Sequence, residues 1–138
     1  MPYGRQDQFL VTVAVDGVKL GTFDKMTGGA TSAQDTKFRP GGGAREEGLG
    51  GPKSVENVTV ERGFDPTRDW ALAKTLRAKT GYARAAVTKQ PLDRQGVPLG
   101  DPEVYTGTVL KVMTPDYDST SASASMFGLD ISCDGDVA

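Results

Sequence analysis

A chain of 138 residues with 37% apolar residues and 18 glycines suffices for one domain with a modest core, and is too apolar for wholesale disorder. Its formal net charge of −2 excludes a strongly basic nucleic-acid binder, which would present clustered Lys and Arg to phosphates. One cysteine, Cys133, excludes an internal disulfide framework, and no apolar run approaches the ~20 residues of a membrane helix. The polar start of the chain has no signal-peptide core, so the expectation is a soluble product assembled in a cytoplasm.

In chain order, Phe9, Val11, Val13 and Val15 alternate with Leu10, Thr12 and Ala14, which predicts a strand with its bulky residues on one face. Asp16-Gly17 follows, a type I′ hairpin signal, because both central positions of that turn need positive φ. A second strand, about Val18 to Met26, should return antiparallel. Residues 27–52 then read as one long loop rich in glycine, with Phe38 and Leu49 its main large apolar residues. Loops of such length inside compact domains are functional or disordered.

Lys53 to Arg62 reads as a third strand. The chain then turns helical: Asp65 suits the N-cap and Pro66 the first turn, with Asp69 early and Lys74, Arg77 and Lys79 late, as the helix dipole prefers. Trp70, Leu72, Ala73 and Leu76 form an apolar stripe, so Trp70, Leu72 and Leu76 are expected to anchor the helix in the core. Gly81 marks the helix end. Three further strands are expected, Tyr82 to Lys89, Glu103 to Thr114 with Val104, Leu110 and Val112 in phase, and Ala122 to Asp134. In the last, Phe127, Leu129, Ile131 and Cys133 share one face, and Asp130, Ser132 and Asp134 share the other. This order predicts a mainly β, antiparallel domain of the α+β class, sandwich- or barrel-like, flanked by one helix and spanning residues 1–138.

Catalytic equipment is sparse. The chain has no histidine, which removes the commonest general base and most zinc sites. Cys133 falls in phase with core residues and reads as a buried, inert thiol. Gly50-Gly51-Pro52-Lys53-Ser54 has a proline where a phosphate loop needs glycine, and precedes a strand where that loop needs a helix. Asp116 to Ser121 begins like a calcium loop but lacks its sixth-position glycine, and Phe127 stands where its glutamate belongs. The acid pairs Glu46-Glu47 and Asp134 with Asp136 read as solvated or interfacial groups. No catalytic residue, cofactor or metal site is assigned.

Several segments, in order, resemble the tail tube family of bacteriophages, which shares its fold with the tubes of contractile injection and type VI secretion systems. They are Gly21-Thr22-Phe23 with Met26-Thr27-Gly28-Gly29, then Thr36-Lys37-Phe38-Arg39-Pro40-Gly41-Gly42, Leu49-Gly50-Gly51-Pro52-Lys53, Asn57 to Gly63, and Asp69-Trp70. The resemblance begins at Phe9 and covers nearly the whole chain. It implies a structural, non-enzymatic subunit that self-assembles into stacked hexameric rings, whose inner wall is a continuous β-barrel conducting DNA during ejection. It further implies tape measure, terminator and baseplate or distal tail proteins as partners, DNA as transiting cargo only, no membrane, and a place in the virion after assembly in the host cytoplasm. Under this reading Phe38, Arg39, Arg45, Glu46, Glu47 and Leu49 make contacts between subunits, and Asp130, Ser132 and Asp134 line the lumen. Two alternatives stay open: an injection or secretion tube carrying protein effectors, and a small β-rich enzyme or ligand-binding domain.

Overall fold

The computed structural model describes residues 5, 7–39, 41–43, 45, 47–120 and 122–137, with the backbone alone for Thr36, Glu47, Gly135 and Asp136. The elements are β1 (Phe9–Val15), β2 (Val18–Phe23), β3 (Lys25–Gly28), β4 (Thr31–Phe38), β5 (Glu47–Val55), β6 (Val58–Gly63), α1 (Pro66–Ala78), β7 (Arg84–Pro91), β8 (Glu103–Met113) and β9 (Met126–Val137). Seven strands form one antiparallel sheet in the order β2-β1-β7-β8-β9-β6-β3, and β4 pairs with β5 in a separate ribbon. The mainly β, one-helix fold expected from sequence is what the chain adopts.

The sheet is strongly curled, and its connectivity says why. The edge strands β2 and β3 are consecutive in the chain, separated only by Asp24. In a flat seven-stranded sheet they would lie roughly 30 Å apart at ~4.8 Å per strand. A single residue cannot span that gap, so the edges curl toward each other into a half-barrel. Arg62 on β6 donates to the Leu20 carbonyl on β2, and the rings of Phe23 and Phe127 stand 6.2 Å apart. The concave face is the core: Val11, Val13 and Val15 from β1, Val58 and Val60 from β6, Val87, Val109, Phe127, Leu129 and Ile131, all buried.

Local chemistry explains the elements. Asp16 and Gly17 have φ of 50° and 81°, the positive pair that a type I′ turn requires. Asp65 caps α1, accepting from the Thr67 N–H at 3.0 Å. Gly81 follows the helix with φ of 96°.

Four expectations need correction. The long loop is largely a two-stranded ribbon, because Thr31–Phe38 and Glu47–Val55 pair along their length. The expected second and third strands each break in two, at Asp24 and at Glu56-Asn57, where the chain passes between sheet and ribbon or turns the half-barrel's corner. In β8 the inward residues are Tyr105 and Val109 up to a bulge between Val109 and Lys111 and Val112 beyond it, so Leu110 is exposed and Val104 and Val112 do not share a face. On α1, Leu76 is buried and Leu72 half-buried, but Trp70 is 56% exposed and does not anchor the helix in the core. The inward arc holds Asp69, Ala73 and Leu76, spaced i, i+4, i+7, and Trp70 lies about 100° round the helix from Asp69. Its ring instead meets the Phe64 ring edge-on at 6.4 Å, with the Lys74 ammonium 5.2 Å from its centre.

Candidate functional site

The convex face of the sheet is a patterned polar surface. Cross-strand register lines its side chains into rows. Thr12 faces Thr88, and Ala14 faces Ala86, which faces Thr106. Arg84 faces Thr108, which faces Ser132. Lys111 faces Asp130, which faces Thr59. Threonine suits such a position, since its branched β-carbon fits the pleat while its hydroxyl meets water.

Asp130, Ser132 and Asp134 all belong to this face. Asp134 is ion-paired with Arg84 from β7 and accepts a bond from the Thr106 hydroxyl at 3.3 Å. The Arg84 hydrogen bond holds its carboxyl below the usual range, outweighing a small opposing effect of burial. Asp130 is half-buried, accepts a short bond from the Thr59 hydroxyl and has Lys111 as its cross-strand neighbour. The face is therefore charge-compensated: each of these acids has a cation and a hydroxyl beside it. Sequence reading found the acids in β9 but missed Arg84, Lys111, Thr59 and Thr106, whose partnership depends on pairings up to 71 residues apart. The alternation Arg84, Ala86, Thr88 and the pair Thr106, Thr108 was the signal for this face.

The ribbon is the second surface. Phe38 is 53% exposed and Leu49 48% exposed; Thr36 faces Leu49 and Phe38 faces Glu47, so the two apolar side chains are diagonal neighbours on one ribbon face. Arg39 and Arg45 are exposed near the tip. Glu46 lies outside the described residues, as does the side chain of Glu47. The root is tightly built. Gly28 and Gly29 both have positive φ, and a β-carbon on Gly28 would overlap the Asn57 carbonyl, so only glycine lets the strands cross so closely. The Glu56 N–H donates to the Ala30 carbonyl at 2.9 Å, and the Tyr105 ring packs on Gly29.

A buried charge cluster joins helix to sheet. Arg62 donates to Asp69 at 2.6 Å, and both are almost fully buried. The Arg62 guanidinium also lies 4.6 Å from the centre of the Phe23 ring and 5.5 Å from that of Phe127. Burial works against a charged Asp69. Hydrogen bonds from Arg68, from the Asp65 backbone N–H and from Arg62 prevail, however, and bring its pKa down to about 2. This pair fixes the helix start; with every oxygen engaged, it offers no reacting group to a substrate.

Burial pushes the half-buried Cys133 thiol up, and its sulfur points at the Ile131 carbonyl. Burial first, then the bond to Glu103, pushes the Tyr105 hydroxyl up to about 12. Neither is poised as a nucleophile or base. Among the described residues no three His, Cys, Asp or Glu side chains gather as a metal site, and no helix is long and apolar enough to cross a membrane.

No family model matches the sequence, and no curated protein matches it. Solved structures do match in shape. A chain of the six-fold symmetrised anti-feeding prophage baseplate aligns with a TM-score of 0.75 and 16% identity, over 100% of this chain and 95% of that one. A chain of the sheath-tube complex of the PVC extracellular contractile injection system, in its extended state, gives 0.73 and 18% identity, over 99% and 90%. One from the sheath/tube terminator of the same system gives 0.74 and 17%, over 100% and 96%. End to end, the chain has the fold of subunits found in the baseplate and sheath-tube assemblies of contractile injection systems.

Proposed function

We propose that this chain is a structural tube subunit of a phage-tail-like particle, whose copies close into hexameric rings that stack into a hollow conduit. The observation that carries the reading is the coincidence of two features. The fold matches, over nearly its whole length, a chain of a sheath-tube complex, and the sheet offers a convex face of threonines and compensated charges. Ring closure is physically sensible, because edge strands such as β2 and β3 find partners when neighbouring sheets join. The baseplate match comes from a six-fold assembly, which favours six copies per ring.

In this reading the convex face, including Asp130, Ser132 and Asp134, is the channel wall, and DNA is the cargo during ejection. A wall of hydroxyls, with Arg84 paired to Asp134 and Lys111 set beside Asp130, holds no excess of cations to condense phosphates, so DNA slides past without being bound. The subunit works alongside tape measure, terminator and baseplate proteins and acts by shape, not by catalysis. A second reading, a tube carrying protein effectors, is favoured by one observation: the solved neighbours above are parts of injection systems. Particles purified from producing cells separate the two. Nuclease-protected DNA in particles that contain this chain supports the first reading, and protein cargo without DNA supports the second. A strictly monomeric protein at every concentration, by sedimentation velocity, contradicts both.

A further inference from the structure

Two Asp-Gly pairs stand in the chain, Asp16-Gly17 and Asp134-Gly135, and both fall where the backbone is irregular. Asp16-Gly17 is the hairpin turn, with positive φ at both residues. Asp134-Gly135 lies in a bulge of β9, where pairing with β8 passes from Cys133 with Gly107 to Val137 with Tyr105. An aspartyl carboxyl reaches the next amide nitrogen most readily when glycine follows, because glycine puts no side chain in the way. At Gly17 the approach is open: among the described residues, no group beyond its chain neighbours comes within 4 Å of where a β-carbon would stand.

One residue holds both carboxyls away from that approach. Arg84 opens β7, and its backbone N–H donates to Asp16 Oδ1 at 3.1 Å. Its carbonyl accepts from the Asp16 N–H at 2.8 Å, so the two residues are fastened at both ends. Lys79, the C-cap of α1, sets its ammonium 3.6 Å from the other Asp16 oxygen. The Arg84 guanidinium meanwhile reaches both oxygens of Asp134, where the Thr106 hydroxyl also donates. The main chain of Arg84 thus serves one Asp-Gly pair and its side chain the other.

We propose that Asp16-Gly17 and Asp134-Gly135 are latent sites of spontaneous isoaspartate formation, and that Arg84, with Lys79, keeps both closed. In that reaction the glycine nitrogen attacks the aspartyl Cγ. The new C–N bond replaces a C–O bond, and the carboxyl hydroxyl leaves as water with the amide proton. Water then opens the cyclic imide at the former backbone carbonyl, so the chain runs on through the side-chain methylene and the α-carboxylate is freed. Composition is unchanged, and water is the only co-reactant. At Asp16 the product lengthens the turn by one methylene and takes the acceptor from the Arg84 N–H, loosening the hairpin that carries the edge strand β2. The inference is independent of the tube reading.

The test ages full-length protein for weeks at neutral pH and physiological temperature. After digestion, isoaspartyl peptides are quantified by mass spectrometry as products of unchanged mass and shifted retention. Lys79→Met is expected to raise isomerisation at Asp16 roughly two- to five-fold, the scale of one half-exposed ion pair, and to leave Asp134 unchanged. Arg84→Met keeps the backbone N–H, so it should raise isomerisation several-fold at Asp134 and leave Asp16 unchanged. Lys79→Arg, which keeps the cation, should age like the parent. In urea both sites of the parent should react several-fold faster than in the folded protein. Either methionine variant ageing like the parent at its own site would overturn the proposal. So would a rise at both sites in one variant, which marks general loosening, or a parent that isomerises as fast folded as in urea.

Discussion

Asp69 is the residue whose role was least legible from its position. An acid in the first turn of a helix reads as a partner of the dipole, and Asp69 would have been exposed if that were its whole task. It is instead fully buried because Arg62, the penultimate residue of β6, turns inward to meet it. Removing one partner leaves the other charged and unpaired in the core. Arg62→Met or Asp69→Asn should therefore cost about 3–5 kcal/mol, read by chemical denaturation. The pH dependence follows from the lowered pKa. A carboxyl depressed from 3.8 to about 2 contributes stability in full above its unfolded pKa and loses it as pH falls toward 2. That contribution is about 2 kcal/mol. Acid unfolding of Asp69→Asn should be correspondingly flatter between about pH 4 and 2 than that of the parent protein. A second residue-scale prediction concerns the convex face. Asp130→Lys would place a cation beside Lys111, so tubes should still form while DNA passage slows or stops. Asp130→Asn, which keeps an acceptor for Thr59, should be mild. Unimpaired ejection by the lysine variant would show that Asp130 is not on the channel wall.

Among the elements, β1, its Asp16-Gly17 turn, the capped helix and the face pattern of β9 were legible, because each is written in local periodicity or turn chemistry. The ribbon was not. Its strands are rich in Gly, Ser and Thr, with Phe38, Leu49 and Val55 their main apolar residues, so no period of two could show through. Its order comes from backbone pairing, to which sequence patterns of burial are blind. The phase of β8 is a related failure: one inserted residue, Leu110, puts Val104 and Val112 on opposite faces, and nothing in the local sequence marks a bulge there. The helix gives a direct test of burial. Leu76→Ala should cost about 2–5 kcal/mol in thermal or denaturant unfolding. Trp70→Ala should cost much less, since the indole is more than half exposed. For the ribbon, deleting residues 41–50 should leave a folded monomer, judged by circular dichroism and sedimentation, that does not polymerise. Normal tubes from that variant would deny the ribbon a role in assembly.

At the scale of the whole molecule, a curled sheet packs its concave face, and the proposed function falls to what is left outside. Among the described residues, seventeen buried apolar side chains fill the half-barrel. Among the described residues, β2 and β3 end the sheet with no further strand beside them, and the ribbon leaves Phe38 and Leu49 exposed. In the proposed assembly, copies of this chain complete those surfaces for one another by building a hollow tube. Electron microscopy of the concentrated, purified protein tests it most directly. Stacked rings of six with a central channel are expected, and in a reconstruction the row of Lys111, Asp130 and Thr59 faces that channel. Monomers or solid aggregates at every concentration, or rings with that row on the outer surface, would contradict it.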